Sequence, residues 1–192
     1  MIKVVIEGII ASGKSYFARE ISYLYDFDLY EEPVQDNPYL DRYYKNPKRY
    51  ALEMQLYLLV RRYIMHQKAI SKGKHCVFDR SIYGDLVFEN VNHDVGNIDD
   101  VGHNHYMLHR NHMLDEIKPP DYVIFLNATP EICLDRILNL RKRDCESNIT
   151  LDYLKKLHEY HFVLMEEFKS RGSEIIELDW NEFKDIKDIK LF

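Results

Sequence analysis

The stretch that decides the fold is "IKVVIEGIIASGKSYF", residues 2 to 17. An apolar run closes on Gly8, four residues follow, and Gly13-Lys14-Ser15 opens what reads as a helix. In that order, successive backbone N–H groups from Gly8 through Ala11, Ser12 and Gly13 to Ser15 can turn inward on phosphate oxygens, with the positive end of the helix behind them. Lys14 then reaches the outer phosphates and the Ser15 hydroxyl ligates magnesium. A plain glycine turn could match the spacing, but strand and helix both stand where a phosphate cradle needs them.

Outward from this stretch, β-rich runs recur at 27–31, 75–79, 121–126 and 174–178, several of them continuously apolar as strands covered on both faces must be. Amphipathic helices fill the intervals. The longest begins at Pro47 behind the capping Asn46 and ends at Gly73, and another opens with Thr129 as cap and Pro130 just inside. Strands separated by helices predict an α/β fold: a doubly wound, five-stranded parallel sheet flanked by helices. The irregular stretch 90–104 reads as a surface loop. The length of 192 residues predicts one domain over 1–192.

Apolar residues make up 46% of the chain and charged residues 30%, and no apolar run approaches a membrane span. The formal charge of −6 is scattered, which disfavours nucleic acid polymers and anionic membranes as partners and favours small molecules or proteins. Three separated cysteines, Cys76, Cys133 and Cys145, without a CxxC pair predict reduced thiols and a cytoplasmic setting. The N-terminus runs straight into the first strand and predicts no signal peptide.

The rest of the chain says what the phosphates are for. Glu31 and Glu32 stand at the end of the second β-rich run, the edge where doubly wound sheets build their sites. A carboxylate there can take the proton of an attacking hydroxyl, and Pro33 beside it favours Glu32. "FDRS", 78–81, ends the third run at the same edge: Asp79 is suited to hold magnesium through water and Arg80 to contact a transferring phosphoryl group. Gln55 and Arg62 lie two turns apart on one face of the long helix, among apolar neighbours. A nucleobase edge would give them partners, and so would internal pairing of Arg62 with Asp85. Arg136, Arg141 and Arg143 approach and pass a helix end, where arginines can close as a lid over a triphosphate at about 140–150. His105, His109 and His112 have helical spacing, but the chemistry needs magnesium rather than zinc. Trp180 and the tyrosines read as packing.

In this order, GxxxxGKS, EPV, a helix with Q-x6-R, DRS followed by Asp85, and a TPE helix leading into the arginine-rich lid resemble the deoxyribonucleoside kinase family over nearly the whole chain. The resemblance implies a P-loop kinase-like fold and transfer of the γ-phosphoryl group of ATP to the 5′-hydroxyl of a deoxynucleoside, for nucleotide salvage. It makes Glu32 the base and Arg80 its companion, with Lys14 and Ser15 serving donor and magnesium. Tyr44 and Glu146 then contact the sugar 3′-hydroxyl. Gln55, Arg62 and Asp85 read the base with Phe88 as an aromatic wall, Arg141 and Arg143 meet phosphates, and Arg136 lies near the donor base. It also implies a homodimer, and deoxyadenosine within the branch that handles deoxyadenosine, deoxyguanosine and deoxycytidine. Tyr16 and Asp79 depart from the family pattern, which commonly has a second hydroxyl residue and Glu there. The alternatives are a thymidylate-type nucleoside monophosphate kinase, which "EPVQ" with no glycines disfavours, and a non-catalytic P-loop nucleotide-binding regulator.

Overall fold

The computed structural model describes residues 1–33, 37–143, 146 and 148–189. Five strands, β1 (Lys3–Glu7), β2 (Asp28–Tyr30), β3 (Cys76–Asp79), β4 (Tyr122–Asn127) and β5 (Glu174–Asp179), form one sheet in the order β2-β3-β1-β4-β5. Every pairing is parallel, with Val5 opposite Phe78 on one side and Val123 on the other. The apolar runs at β1, β3 and β4 are the three inner strands, and they are buried on both faces as predicted. The edge strands β2 and β5 keep polar alternation and partial exposure.

The helices cover both faces: α1 (Lys14–Tyr25), α2 (Leu40–Lys45), α3 (Pro47–Lys72), α4 (Asp85–Asp94), α5 (Asp100–Asp115), α6 (Pro130–Asp135) and α7 (Leu151–Ser170). The expected caps form. The Asn46 side chain accepts from Arg49 N, Gly73 ends α3 in the left-handed region, and the Thr129 and Thr150 hydroxyls accept from Ile132 and Tyr153 N. Thr150 thereby restarts the chain as α7.

The stretch 90–104 is a loop only over 95–99, with helix on either side. Its first residues complete α4, where Val91 and Asn92 are buried, and Asp99 caps α5 by accepting from Gly102 N at 2.8 Å. Polar side chains hid both helices because their burial depends on neighbours distant in sequence. Asn92, for example, accepts from the hydroxyl of Tyr43 at 3.0 Å.

On α5 the Nε2 atoms of His105 and His109 lie 3.3 Å apart. Among the described residues, no group of three or more His, Cys, Asp or Glu side chains could hold a metal ion. Among the same residues no helix is long and apolar enough to cross a membrane. Cys76 and Cys133 are buried free thiols, and Cys145 lies outside the described residues.

Candidate active site

The carboxyl ends of β1, β2 and β3 meet at one edge, and the loop from Gly8 to Gly13 curls there before α1. Ala11 and Gly13 adopt positive φ, 61° and 101°. At Gly13 a side chain would also meet the Phe183 ring at 2.9 Å and Trp180 at 3.0 Å, so only glycine closes this turn. Lys14 is buried across the loop, its ammonium donating to Ile9 O at 2.7 Å and Ser12 Oγ at 3.5 Å. Burial, then the nearby Arg80 cation, lower its pKa to about 8 against the pull of Asp79, Glu32 and Glu7.

The Ser15 hydroxyl donates to Asp79 Oδ2 at 2.5 Å, while Asp79 Oδ1 is buried with no hydrogen-bond partner among the described residues. Burial and the charge of Glu32 raise the Asp79 pKa against Lys14 and the Ser15 hydrogen bond. A hydroxyl and a carboxylate with an unused oxygen, side by side at a phosphate loop, suit the oxygen chemistry of magnesium.

Of the two neighbouring glutamates, Glu31 turns outward to an exposed ion pair with Arg19. Glu32 turns inward, its Oε1 lying 2.7 Å from Arg62 Nη2 and 3.0 Å from Arg80 Nε. Burial alone would raise its pKa, but Arg80, Arg62 and Lys14 outweigh that and hold it at about 2. Arg62 is buried and paired with Asp85 as well, and Asp85 also accepts from the Tyr106 hydroxyl at 2.9 Å. The expected Arg62–Asp85 pairing therefore forms, and the same guanidinium reaches Glu32. Arg80 has φ 69°, a left-handed backbone that is strained for a side chain of this size. Its guanidinium lies over the Phe88 ring, 4.6 Å from the centroid.

Between α2, α3 and the phosphate loop is a cavity of about 290 Å³ that Lys14, Glu32, Gln55, Arg62 and Arg80 all line. Gln55 is fully buried, yet among the described residues neither its amide oxygen nor its nitrogen has a hydrogen-bond partner. Leaving such an amide unpaired costs about 1–3 kcal/mol, so this side chain is set up for a ligand with both a donor and an acceptor.

Against known proteins, this chain matches the deoxynucleoside kinase family over residues 4–190. The chain belongs to the deoxynucleoside kinase family. It is 39% identical over 187 residues to a deoxyguanosine kinase of Dictyostelium discoideum, covering 95% of this chain and 65% of that protein. It is 35% identical over 182 residues to a deoxyadenosine kinase of the same organism, covering 95% and 74%. The structure of deoxyadenosine kinase from M. mycoides with bound dATP superposes with a TM-score of 0.84 at 29% identity, over 98% of this chain and 94% of that one.

The remaining family positions also gather here. Tyr44, Phe88 and Glu146 line the same cavity, as do Arg136, Arg141 and Arg143. Glu146 is buried, with Arg141 at 3.1 Å and Arg143 at 3.5 Å from its Oε1, so the acid and both arginines form one cluster. Arg136, expected near the donor base, is set apart from Arg141 and Arg143 by its partners. It is buried, donates to the carbonyls of Ser12, Trp180 and Asn181, and lies 4.2 Å over the Phe183 ring. Its guanidinium ties the 180–183 segment to the phosphate loop. The helix leaves its α register here, as residues Arg136–Arg141 form a π-helix, a deviation frequent at functional sites.

Three features had not been singled out as site residues. Tyr43 and Tyr153 line the cavity beside Tyr44. Tyr16 stands edge-on to Phe183 with centroids 6.5 Å apart, forming an aromatic rim at the mouth. Glu7, the last residue of β1, lies fully buried under Arg80 and Ser81. The signal for Glu7 was a carboxylate ending an apolar strand that enters a phosphate loop, because such a strand is an inner one.

Proposed function

We propose that this protein transfers the γ-phosphoryl group of ATP to the 5′-hydroxyl of a deoxynucleoside, with deoxyadenosine as the preferred acceptor. The observation that carries the reading is the unpartnered, fully buried Gln55 amide in a cavity that also holds Glu32 and the phosphate loop. One donor and one acceptor on a planar amide match the N6/N7 edge of adenine, where guanine offers two acceptors. The likeness to a relative named as a deoxyguanosine kinase supports deoxyguanosine as the second reading.

In this mechanism Gln55 holds the base and Arg62 with Asp85 fixes the floor beneath it. Tyr44 and Glu146 hold the sugar. Glu32 accepts the 5′-hydroxyl proton as the new O–P bond forms, and Arg80 faces the moving phosphoryl group. Lys14, Arg141 and Arg143 neutralise phosphate charge. Ser15 and Asp79 would hold magnesium, which when bound supplies charge neutralisation at the donor phosphates. Residues 1–192 act as one kinase domain with 140–150 as its lid. A homodimer belongs to the same proposal, supported by exposed Val60 and Ile64 on α3 and Val101 and Leu108 on the adjoining α5.

The test is purified protein with magnesium ATP against four deoxynucleosides and their monophosphates. We expect the highest kcat/KM on deoxyadenosine, and a Gln55→Leu variant to lose about 10- to 100-fold of it. Turnover of monophosphates alone would favour the thymidylate-type reading, and ATP consumption independent of acceptor would favour a regulator.

The pH dependence follows from Lys14. Its pKa in the free site is lowered to about 8, so the ammonium is present below that pH and lost above it. The kcat/KM for ATP should therefore fall as pH rises through about 8, while kcat at saturating ATP holds to higher pH because bound phosphates favour the charged form. A kcat/KM profile that stays flat up to the ordinary lysine range would show that the Lys14 pKa is not lowered in the free site.

A further inference from the structure

We infer that Glu7 is a positioning residue for Arg80, holding its guanidinium between two carboxylates so that it stays turned toward the transferring phosphoryl group. The inference rests on the role proposed above for Arg80. Glu7 ends the central strand and is completely buried. Its Oε1 accepts from Ser81 N at 3.1 Å and Ser81 Oγ at 2.8 Å, and Ser81 Oγ in turn accepts from Gly84 N at 3.2 Å. Among the described residues its Oε2 has no hydrogen-bond partner, and it faces Arg80 Nη1 at 3.8 Å. A Cβ at Gly84 would approach Glu7 Oε2 to 2.7 Å, so the start of α4 is built around this carboxylate.

The turn it supports is the strained one. Arg80 sits at φ 69°, with its N–H donating to Ile6 O at 3.0 Å while the next residue is held by Glu7. The side chain is then bounded on three sides: Glu32 at Nε, the Phe88 face, and Glu7 behind Nη1. A guanidinium facing a lone carboxylate tends to close on it as a two-pronged pair. Were Arg80 to close so on Glu32, it would cover the proposed base and turn its free N–H groups from the donor. A second carboxylate behind it opposes that collapse, and among the described residues neither Arg80 Nε nor Nη1 is committed to a hydrogen bond.

Glu7→Gln separates this role from simple packing. The amide keeps an oxygen for Ser81 but can set an N–H donor against Arg80 in place of Oε2. The experiment is a double-mutant cycle of E7Q with Arg80→Lys, reading kcat, KM and the dissociation constant for deoxyadenosine. We expect E7Q to lower kcat about 10- to 100-fold, the scale of a small misplacement of a reacting group. Deoxyadenosine binding should change less than about 3-fold, and the E7Q loss should largely vanish in the Arg80→Lys background, as coupled neighbours require. Equal losses in both backgrounds, or unchanged kcat in E7Q, overturn the inference. If E7Q does not fold, Ser81→Ala enters the same cycle, and its loss must likewise disappear when Arg80 is Lys. Wild-type protein that phosphorylates no deoxynucleoside overturns the reading beneath as well, and is seen before any variant is made.

Discussion

Glu32→Gln will lower kcat by about 10²- to 10⁴-fold, the usual share of a general base, with deoxynucleoside binding retained within a few-fold. The substitution keeps the side chain's shape, and the amide oxygen can still accept from Arg62 Nη2, which lies 2.7 Å from Glu32 Oε1. What it removes is the ability to take the hydroxyl proton. A pKa of about 2 is low for a base, and its cause is the Arg80 and Arg62 guanidiniums that also aim the carboxylate, together with Lys14. In a loose phosphoryl-transfer transition state the proton leaves late, so orientation and guaranteed ionisation outweigh basic strength. The depressed pKa means that the carboxylate is charged throughout pH 5–9 and is lost only as pH falls toward 2. Glu32 should therefore give no acid limb to kcat near neutrality. Single-turnover measurements with Glu32→Gln will check the rate, and full turnover in this variant would remove the proposed base.

The order of elements was readable from local chemistry because each cue acts within a few residues. The phosphate loop between an apolar run and a helix, the Asn46-Pro47 and Thr129-Pro130 caps, and Gly73 all decide their own backbone. Glu32 was also reachable, since Pro33 and the strand end frame it, although the contrast with Glu31 rests on Arg19 reaching that residue across twelve positions. Where neighbours distant in sequence decide, the reading gave out. The stretch 90–104 looked irregular because its polar Asn92 and His103 find their partners outside it, Asn92 in Tyr43 and His103 in Glu89, each at 3.0 Å. Arg136 sits in a basic run, yet its partners are three carbonyls far away in sequence. Glu7 was not singled out, although a carboxylate ending an apolar run that enters a phosphate loop was a signal for it; the position of β1 between β3 and β4 is what buries it.

Arg62→Leu should destabilise the fold by about 3–5 kcal/mol, the cost of breaking one side of a buried ion pair. The guanidinium and Asp85 are both buried, and with Arg62 gone Asp85 keeps the Tyr106 hydroxyl as its donor at 2.9 Å. One neutral hydrogen bond does not replace a guanidinium around a carboxylate that water cannot reach. In a chain of this size that corresponds to a fall in Tm of about 10 °C, readable by calorimetry. The double variant Arg62→Leu/Asp85→Leu removes both charges, so it should recover most of the stability, since apolar groups can replace a buried pair at little loss. It should not recover turnover, because Arg62 also holds Glu32. With that guanidinium gone, one of the charges that depress the Glu32 pKa is missing and the pKa must rise, so residual activity should acquire an acid limb absent from the wild type. A double variant no more stable than Arg62→Leu alone would show that the pair is not what the single substitution breaks. Stability regained without activity would separate the two duties of one side chain: neutralising Asp85 in the core and aiming Glu32 in the site.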